Sequence, residues 1–154
     1  MKKFTPLLVV LLFNCADLLN FIKQNNAKVE NYTVVIYANQ EWQATPAVIE
    51  GQAEIVIEAE GNWSMTNDRK NFDASGLVNN PAALGGEYRV DRNFNHGQLI
   101  CTVNAGSNNQ IFTLGQSAIV GTGSIFCRIN DTDIGNNVGS QNLKITVKTK
   151  LYNL

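Results

Sequence analysis

The stretch NLKITVKTKL, residues 142–151, decides the fold class. Its apolar side chains stand at almost every second position, and polar or basic side chains stand between them. The apolar members are Leu143, Ile145, Val147 and Leu151. Because successive side chains of a β-strand point to opposite faces, this alternation indicates a strand with one face buried and the other in water.

A second stretch, AEIVIEAE at residues 53–60, alternates in the same way. Its inward members are Ala53, Ile55, Ile57 and Ala59. Shorter strand-like segments occupy residues 33–38, 98–103, 110–114, 117–120 and 124–130, with the turn signals EGQ, NAGSNN, LGQ and GTGS between segments. Short strands with one polar face and Gly/Asn-rich turns predict an all-β fold, an antiparallel β-sandwich or jelly roll.

The amino end has a different character. Two lysines precede an apolar run, in MKKFTPLLVVLLF, that is shorter than the roughly 20 residues of a transmembrane helix. This pattern predicts a secretory leader within residues 1–30, a single domain over 31–154, and a secreted, cell-surface or periplasmic protein without a stable membrane span. An amphipathic N-terminal helix packed on the domain is the alternative, because no small-x-small cleavage site is evident.

The chain has three cysteines, Cys15, Cys101 and Cys127. The last two fall on inward faces of predicted strands. Two interpretations stay open for them: a disulfide formed in an oxidising compartment, or two buried thiols that act as small apolar residues.

Composition and motifs exclude several classes of function. The net charge is -1, and no basic stripe is visible, which argues against a nucleic-acid partner. His96 is the single histidine, so a zinc site with several histidines is excluded, and its surroundings resemble no nucleophile motif. No phosphate-binding loop is present. We therefore expect a binding protein and not an enzyme, with His96 as an ordinary loop residue.

One loop gathers side-chain oxygens. Its polar members are Asp131, Asp133, Asn136 and Asn137. Carboxylate and amide oxygens at short spacing suit Ca²⁺, which takes about 6–8 oxygen ligands. The spacing is not that of an EF-hand, because Asn136 stands where glycine is required and Asn142 where glutamate is required. The alternative is an ordinary Asx-rich turn between two strands.

The segment DIGNNVGSQNLKITV, residues 133–147, resembles the calcium loop and final strand of the LecA (PA-IL) galactophilic lectins. Residues 38–65 and 96–107 are similar to the opening and to a central strand of that family. The resemblance implies a galactose-binding-like jelly roll in which one Ca²⁺ coordinates two vicinal hydroxyls of a galactose-like saccharide or glycoconjugate.

Carried over by position, the resemblance implies five calcium ligands: Asp131, Asp133, Asn136, Asn137 and the main-chain oxygen of Met65. It implies that Asp131, Asn136 and Asn137 also contact the sugar. The family's His-Pro-x-Gln sugar loop is absent, and the corresponding residues 71–77 offer Asn71 and Asp73 as sugar neighbours. The interval from Asp131 to Asn136 is also two residues shorter than in the family.

Two classes of function follow. The first is a calcium-dependent lectin, in which weak single sites would gain avidity from several copies in a homo-oligomer. The second is a non-catalytic interaction or structural module on the same sandwich, with a structural calcium or none.

Overall fold

The computed structural model describes residues 27–65, 71–77, 88–105 and 110–150. Its strands are β1 (Ala27–Tyr37), β2 (Gln43–Ser64), β3 (Leu99–Val103), β4 (Ile111–Phe112), β5 (Gly115–Ile129) and β6 (Val138–Lys150). One 3-10 turn, Ile134–Asn136, precedes β6. None of the helical structure in these ranges is long and apolar enough to cross a membrane. The predicted all-β fold is confirmed.

The strands form one antiparallel sheet in the order β1-β6-β2-β5-β3-β4. The pairs β1–β6, β2–β5 and β3–β4 are nested, as in a long hairpin that has been rolled up. Strand β2 pairs with β5 over Gln43–Ile57 and with β6 over Ala53–Ser64. Its two halves therefore belong to different parts of the sheet, which folds into the two layers of a β-sandwich.

The core lies between these layers and follows the alternation in the sequence. The inward side chains of β2 and β6 are almost completely buried: Ala53, Ile55, Ile57, Leu143, Ile145 and Val147. Burial of one large apolar side chain stabilises the fold by about 1.5–3 kcal/mol. The predicted inward faces are confirmed here, and Leu151 lies outside the described residues.

Two predicted turns lie inside strands. EGQ is part of β2, where Gly51 has φ +82° and stands opposite Gly121 of β5. GTGS is part of β5, so the segments predicted at 117–120 and 124–130 are one strand. The turn prediction failed because positive-φ glycines such as Gly51 and Gly123 let a strand bend without ending. Gly123 has φ +144°, a conformation that L side chains rarely adopt, and a Cβ atom there would also displace the side chain of Asn104.

Of the two interpretations of Cys101 and Cys127, the structure supports the disulfide. Cys101 on β3 and Cys127 on β5 stand directly opposite each other, with their Cα atoms 4.1 Å apart, and form a disulfide. Both residues are fully buried. The bridge therefore joins two neighbouring strands from inside the core.

Strand β1 begins at Ala27, so the boundary predicted between residues 30 and 31 falls within it. Residues Ala27 to Glu30 pair with Lys150 to Val147 of β6. The rest of the predicted leader, and the alternative N-terminal helix, lie outside the described residues.

Candidate functional site

The loop 130–137 connects β5 to β6 at one end of the sandwich. The segment 95–98 lies against it, because the Gly97 amide donates to the main-chain oxygen of Asn130 (3.1 Å) and the Asn130 amide donates to that of Gln98 (2.8 Å). The segment 71–77 lies on 95–99, with the Leu99 amide donating to the Ala74 oxygen (2.9 Å). Three separate parts of the chain therefore meet around the predicted calcium loop.

Asp131 is the buried acid of this loop, with 2% of its surface exposed. Its Oδ1 accepts a hydrogen bond from the Asp133 amide (3.0 Å) and lies 3.3 Å from Nε2 of His96. No hydrogen bond of normal geometry joins the two groups, and Nε2 of His96 is buried without a hydrogen-bond partner among the described residues. Burial raises the pKa of the Asp131 carboxyl, but His96, the Asp133 amide and the Asn137 side chain together outweigh burial and lower it.

Arg128 fixes the main chain around Asp131. Its guanidinium donates to the main-chain oxygens of Asp131 (2.6 Å) and Ile129 (3.1 Å). It also lies 5.7 Å from the centre of the Trp42 ring. Arg128 is buried, and the loss of water around it lowers the pKa of its guanidinium. The acid is therefore held on a main chain that two charge-assisted hydrogen bonds keep in place.

The two asparagines of the loop each present an amide oxygen without a donor. Nδ2 of Asn136 donates to Oδ2 of Asp133 (2.8 Å), and Nδ2 of Asn137 donates to the main-chain oxygen of Ala38 (3.2 Å). Both Oδ1 atoms are buried, and none of the described residues donates to them. A buried acceptor without a partner costs about 1–3 kcal/mol, so two of them in a loop that also contains two carboxylates fit an oxygen-binding cation.

Asn130 joins a fourth segment to the loop. It is fully buried, and its Oδ1 accepts from the Asp91 amide (2.9 Å). Its Nδ2 lies within hydrogen-bonding distance of three main-chain oxygens, those of Asp91 (2.9 Å), Phe94 (3.2 Å) and Asn95 (3.0 Å). One side chain therefore holds residues 91–95 against the loop 130–137.

Replacing Asn130 with alanine is expected to lower the free energy of unfolding by about 2–3 kcal/mol, because a buried donor and acceptor disappear and their main-chain partners lose them. Thermal melting checks the stability, and hydrogen exchange should show faster exchange of the Asp91 amide. Asn31→Ala is the matched control, since Asn31 is exposed and bonds only the Thr146 hydroxyl among the described residues (2.8 Å). Equal melting of the two variants would contradict the role given to Asn130.

The predicted sugar neighbours lie one segment away from the loop. Asn71 and Asp73 are exposed, and Oδ1 of Asp73 accepts hydrogen bonds from the hydroxyl and the amide of Ser75. These bonds lower the pKa of the Asp73 carboxyl. The amide of Leu77 donates to the His96 oxygen (3.0 Å), so the segment 95–97 stands between residues 71–77 and Asp131.

Met65 lies at the end of β2, next to the same segment. Its side chain packs on Gly97, where an added Cβ would lie 2.5 Å from the Met65 sulfur. Nε1 of Trp63 donates to the Gly97 oxygen (2.9 Å). Met65 is therefore a neighbour of His96, which in turn contacts Asp131.

Four parts of this arrangement are absent from the sequence-based site: His96, Arg128, the Asn130 side chain and the Ala38 carbonyl. His96 was interpreted as an ordinary loop residue, yet it lies beside the buried acid. Within the described ranges, no three His, Cys, Asp or Glu side chains come together to hold a metal ion. A calcium site here would therefore depend on two carboxylates complemented by amide and main-chain oxygens.

No protein-family model and no curated protein matches the chain. Among solved structures, the chain is similar to the EclA N-terminal domain, described as a PllA-like lectin, with a TM-score of 0.49 and 11% sequence identity. The match covers 75% of this chain and 95% of that one. A likeness this distant assigns neither a family nor a function.

Proposed function

We propose that the protein binds carbohydrate through a calcium ion held by the loop 130–137. The observation that carries the proposal is the pair of buried, unpaired amide oxygens of Asn136 and Asn137 in the same short loop as the buried carboxyl of Asp131. Calcium accepts carboxylate and neutral oxygens together and tolerates irregular geometry. A cation at this position would satisfy both amide oxygens and favour the charged carboxylate.

The proposed ligands are Asp131, Asp133, Asn136 and Asn137, with the main-chain oxygen of Met65 added by the resemblance to the LecA-type lectins. The ion would supply coordination positions for two neighbouring hydroxyls of a galactose-like sugar. Asp131, Asn136 and Asn137 would accept hydrogen bonds from the same sugar. Asn71 and Asp73, on the exposed segment beside 95–97, would discriminate among sugars that share such a diol.

A second candidate function is an interaction module in which the ion has a structural role. The burial of two of the proposed ligands favours it, because Asp131 and Asn137 are only 2% and 3% exposed. An ion enclosed by such ligands would stiffen the loop between β5 and β6 whether or not a sugar reaches it.

We also propose that the protein works outside the cytosol. The disulfide between Cys101 and Cys127 supports an oxidising compartment, where such bonds persist. The basic and apolar amino end, typical of a secretory leader, agrees with this location.

Calcium is expected to raise the melting temperature of EDTA-treated protein. A ligand that binds only the folded state stabilises it by about 2.7 kcal/mol at 100 times its Kd, which corresponds to roughly 5–10 °C for a domain of this size. Melting curves with CaCl₂, with MgCl₂ and with EDTA measure the shift. Magnesium is the matched ion control, because it demands a regular octahedral shell and gives up water reluctantly.

A glycan array with calcium and with EDTA then separates the two candidate functions. Retention of glycans in calcium alone supports the lectin. A calcium shift without retention of any glycan leaves the structural module, and identical melting with calcium and EDTA would contradict the calcium site itself.

A further inference from the structure

Strand β1 is an edge of the sheet. It is 11 residues long and pairs with β6 on one side, and no strand among the described residues pairs with its other side. A long edge strand presents a row of unpaired N–H and C=O groups that readily pair with another strand. The edges of native sheets are usually protected by charge, proline or a bulge.

The exposed face of β1 has little of that protection. Val29, Val35 and Tyr37 are 53%, 40% and 48% exposed and point to the same side. The strand contains no proline, and its two charged residues, Lys28 and Glu30, form an ion pair with each other (3.0 Å) near its start. The remaining residues, Asn31 to Tyr37, are uncharged.

We propose that β1 pairs with β1 of a second copy of this chain, antiparallel about a two-fold axis at Tyr32. Such a register centres the overlap on residues 29–35; beyond it, the main-chain N–H and oxygen of Tyr37 already bond the side chain of Gln43 (2.9 Å each). It places Val29 of each copy opposite Val35 of the other copy, on the outer face of the sheet. A slip by one residue would bring outer-face positions opposite inner-face positions, so the side-chain pattern opposes it.

The sequence of β1 is compatible with antiparallel pairing to β1 of a second copy. In this register Lys28 stands opposite Ile36 and Glu30 opposite Val34, so no like charges face each other. The apolar residues opposed on the outer face are those that the single chain leaves in water. A closed two-fold pairing also leaves no place for a third copy on this edge of the sheet.

The pairing would place two candidate sites at opposite ends of the shared strands. Tyr37 ends β1 next to Ala38, whose oxygen binds the side chain of Asn137. The two copies of Tyr37 would be about 34 Å apart along the strands, at about 3.4 Å per residue. The pairing requires neither calcium nor sugar, so it stands or falls independently of the proposed function.

Sedimentation equilibrium of the full chain tests the pairing, and we expect a dimer. The double variants V29K/V35K and V29E/V35E should each be monomeric, because each opposes like charges twice at the two-fold interface. An equimolar mixture of the two should form a heterodimer, because each lysine then faces a glutamate. V48K/V120K is the matched control and should stay dimeric, since Val48 and Val120 are exposed valines outside β1, on β2 and β5.

Circular dichroism melting shows whether each variant is folded. We expect every variant to be folded, because each of the substituted valines is exposed. A monomeric wild-type chain would overturn the pairing, whatever covers the edge of β1 in that case. A dimeric V29K/V35K variant, or a mixture of the folded lysine and glutamate variants that stays monomeric, would overturn the register.

Discussion

Replacing Asp131 with alanine is expected to abolish the rise in melting temperature that calcium produces, together with calcium-dependent retention of glycans. Asp131 is one of only two carboxylates in the proposed ligand set, and calcium affinity depends strongly on ligand charge. Its carboxyl is buried and fixed by the Asp133 amide. The expected loss is the whole calcium shift, about 2.7 kcal/mol at 100 times the Kd.

The comparison is made within each variant, with calcium against EDTA, because Asp131→Ala also removes the acceptor of the Asp133 amide and lowers the stability of the ion-free protein. Asp73→Ala is the matched control. Asp73 is exposed, and its carboxyl bonds only Ser75 among the described residues, so its loss should leave the calcium shift intact and change only which sugars are retained. A calcium shift of normal size in Asp131→Ala would contradict the proposed ligand set.

The fold could be predicted where its signal is local. The inward faces of β2 and β6 follow from strict alternation, because burial on one face imposes a period of two on the sequence. The ends of β2 and β5 could not be predicted in this way. Gly51 and Gly121 look like turn residues, and only the pairing of the two strands shows that they stand opposite each other inside a bent ladder.

The candidate site also has a part that the local sequence indicates and a part that depends on tertiary packing. Asp131, Asp133, Asn136 and Asn137 could be singled out as candidate ligands because they lie within seven residues of the chain and each has a side-chain oxygen. The place of His96 beside Asp131 could not be predicted from the sequence, because this contact depends on how the segment before β3 packs on the end of β5. The role of Asn130 depends likewise on partners 35 to 39 residues away.

Replacing Cys101 and Cys127 together with alanine is expected to lower the free energy of unfolding by about 3–4 kcal/mol, or roughly 10 °C in melting temperature. The bridge closes a loop across a sequence separation of 26 residues, and its removal returns that chain entropy to the unfolded state. Alanine is the suitable replacement because both positions are fully buried and apolar. Melting curves of wild type and variant, each with and without reductant, measure the effect.

The variant also provides the control for reductant. Reduction should lower the melting temperature of the wild type toward that of the double-alanine variant and leave the variant unchanged, since the variant has no bridge to break. Equal melting of oxidised and fully reduced wild type, with the free thiols counted by mass spectrometry, would contradict the prediction.

Cys127 lies three residues before Asn130, and β3, which carries Cys101, follows the segment of His96. The bridge therefore joins the strand that precedes Asp131 to the strand that follows His96. We expect the double-alanine variant to show a smaller calcium-induced rise in melting temperature than the wild type at the same calcium concentration.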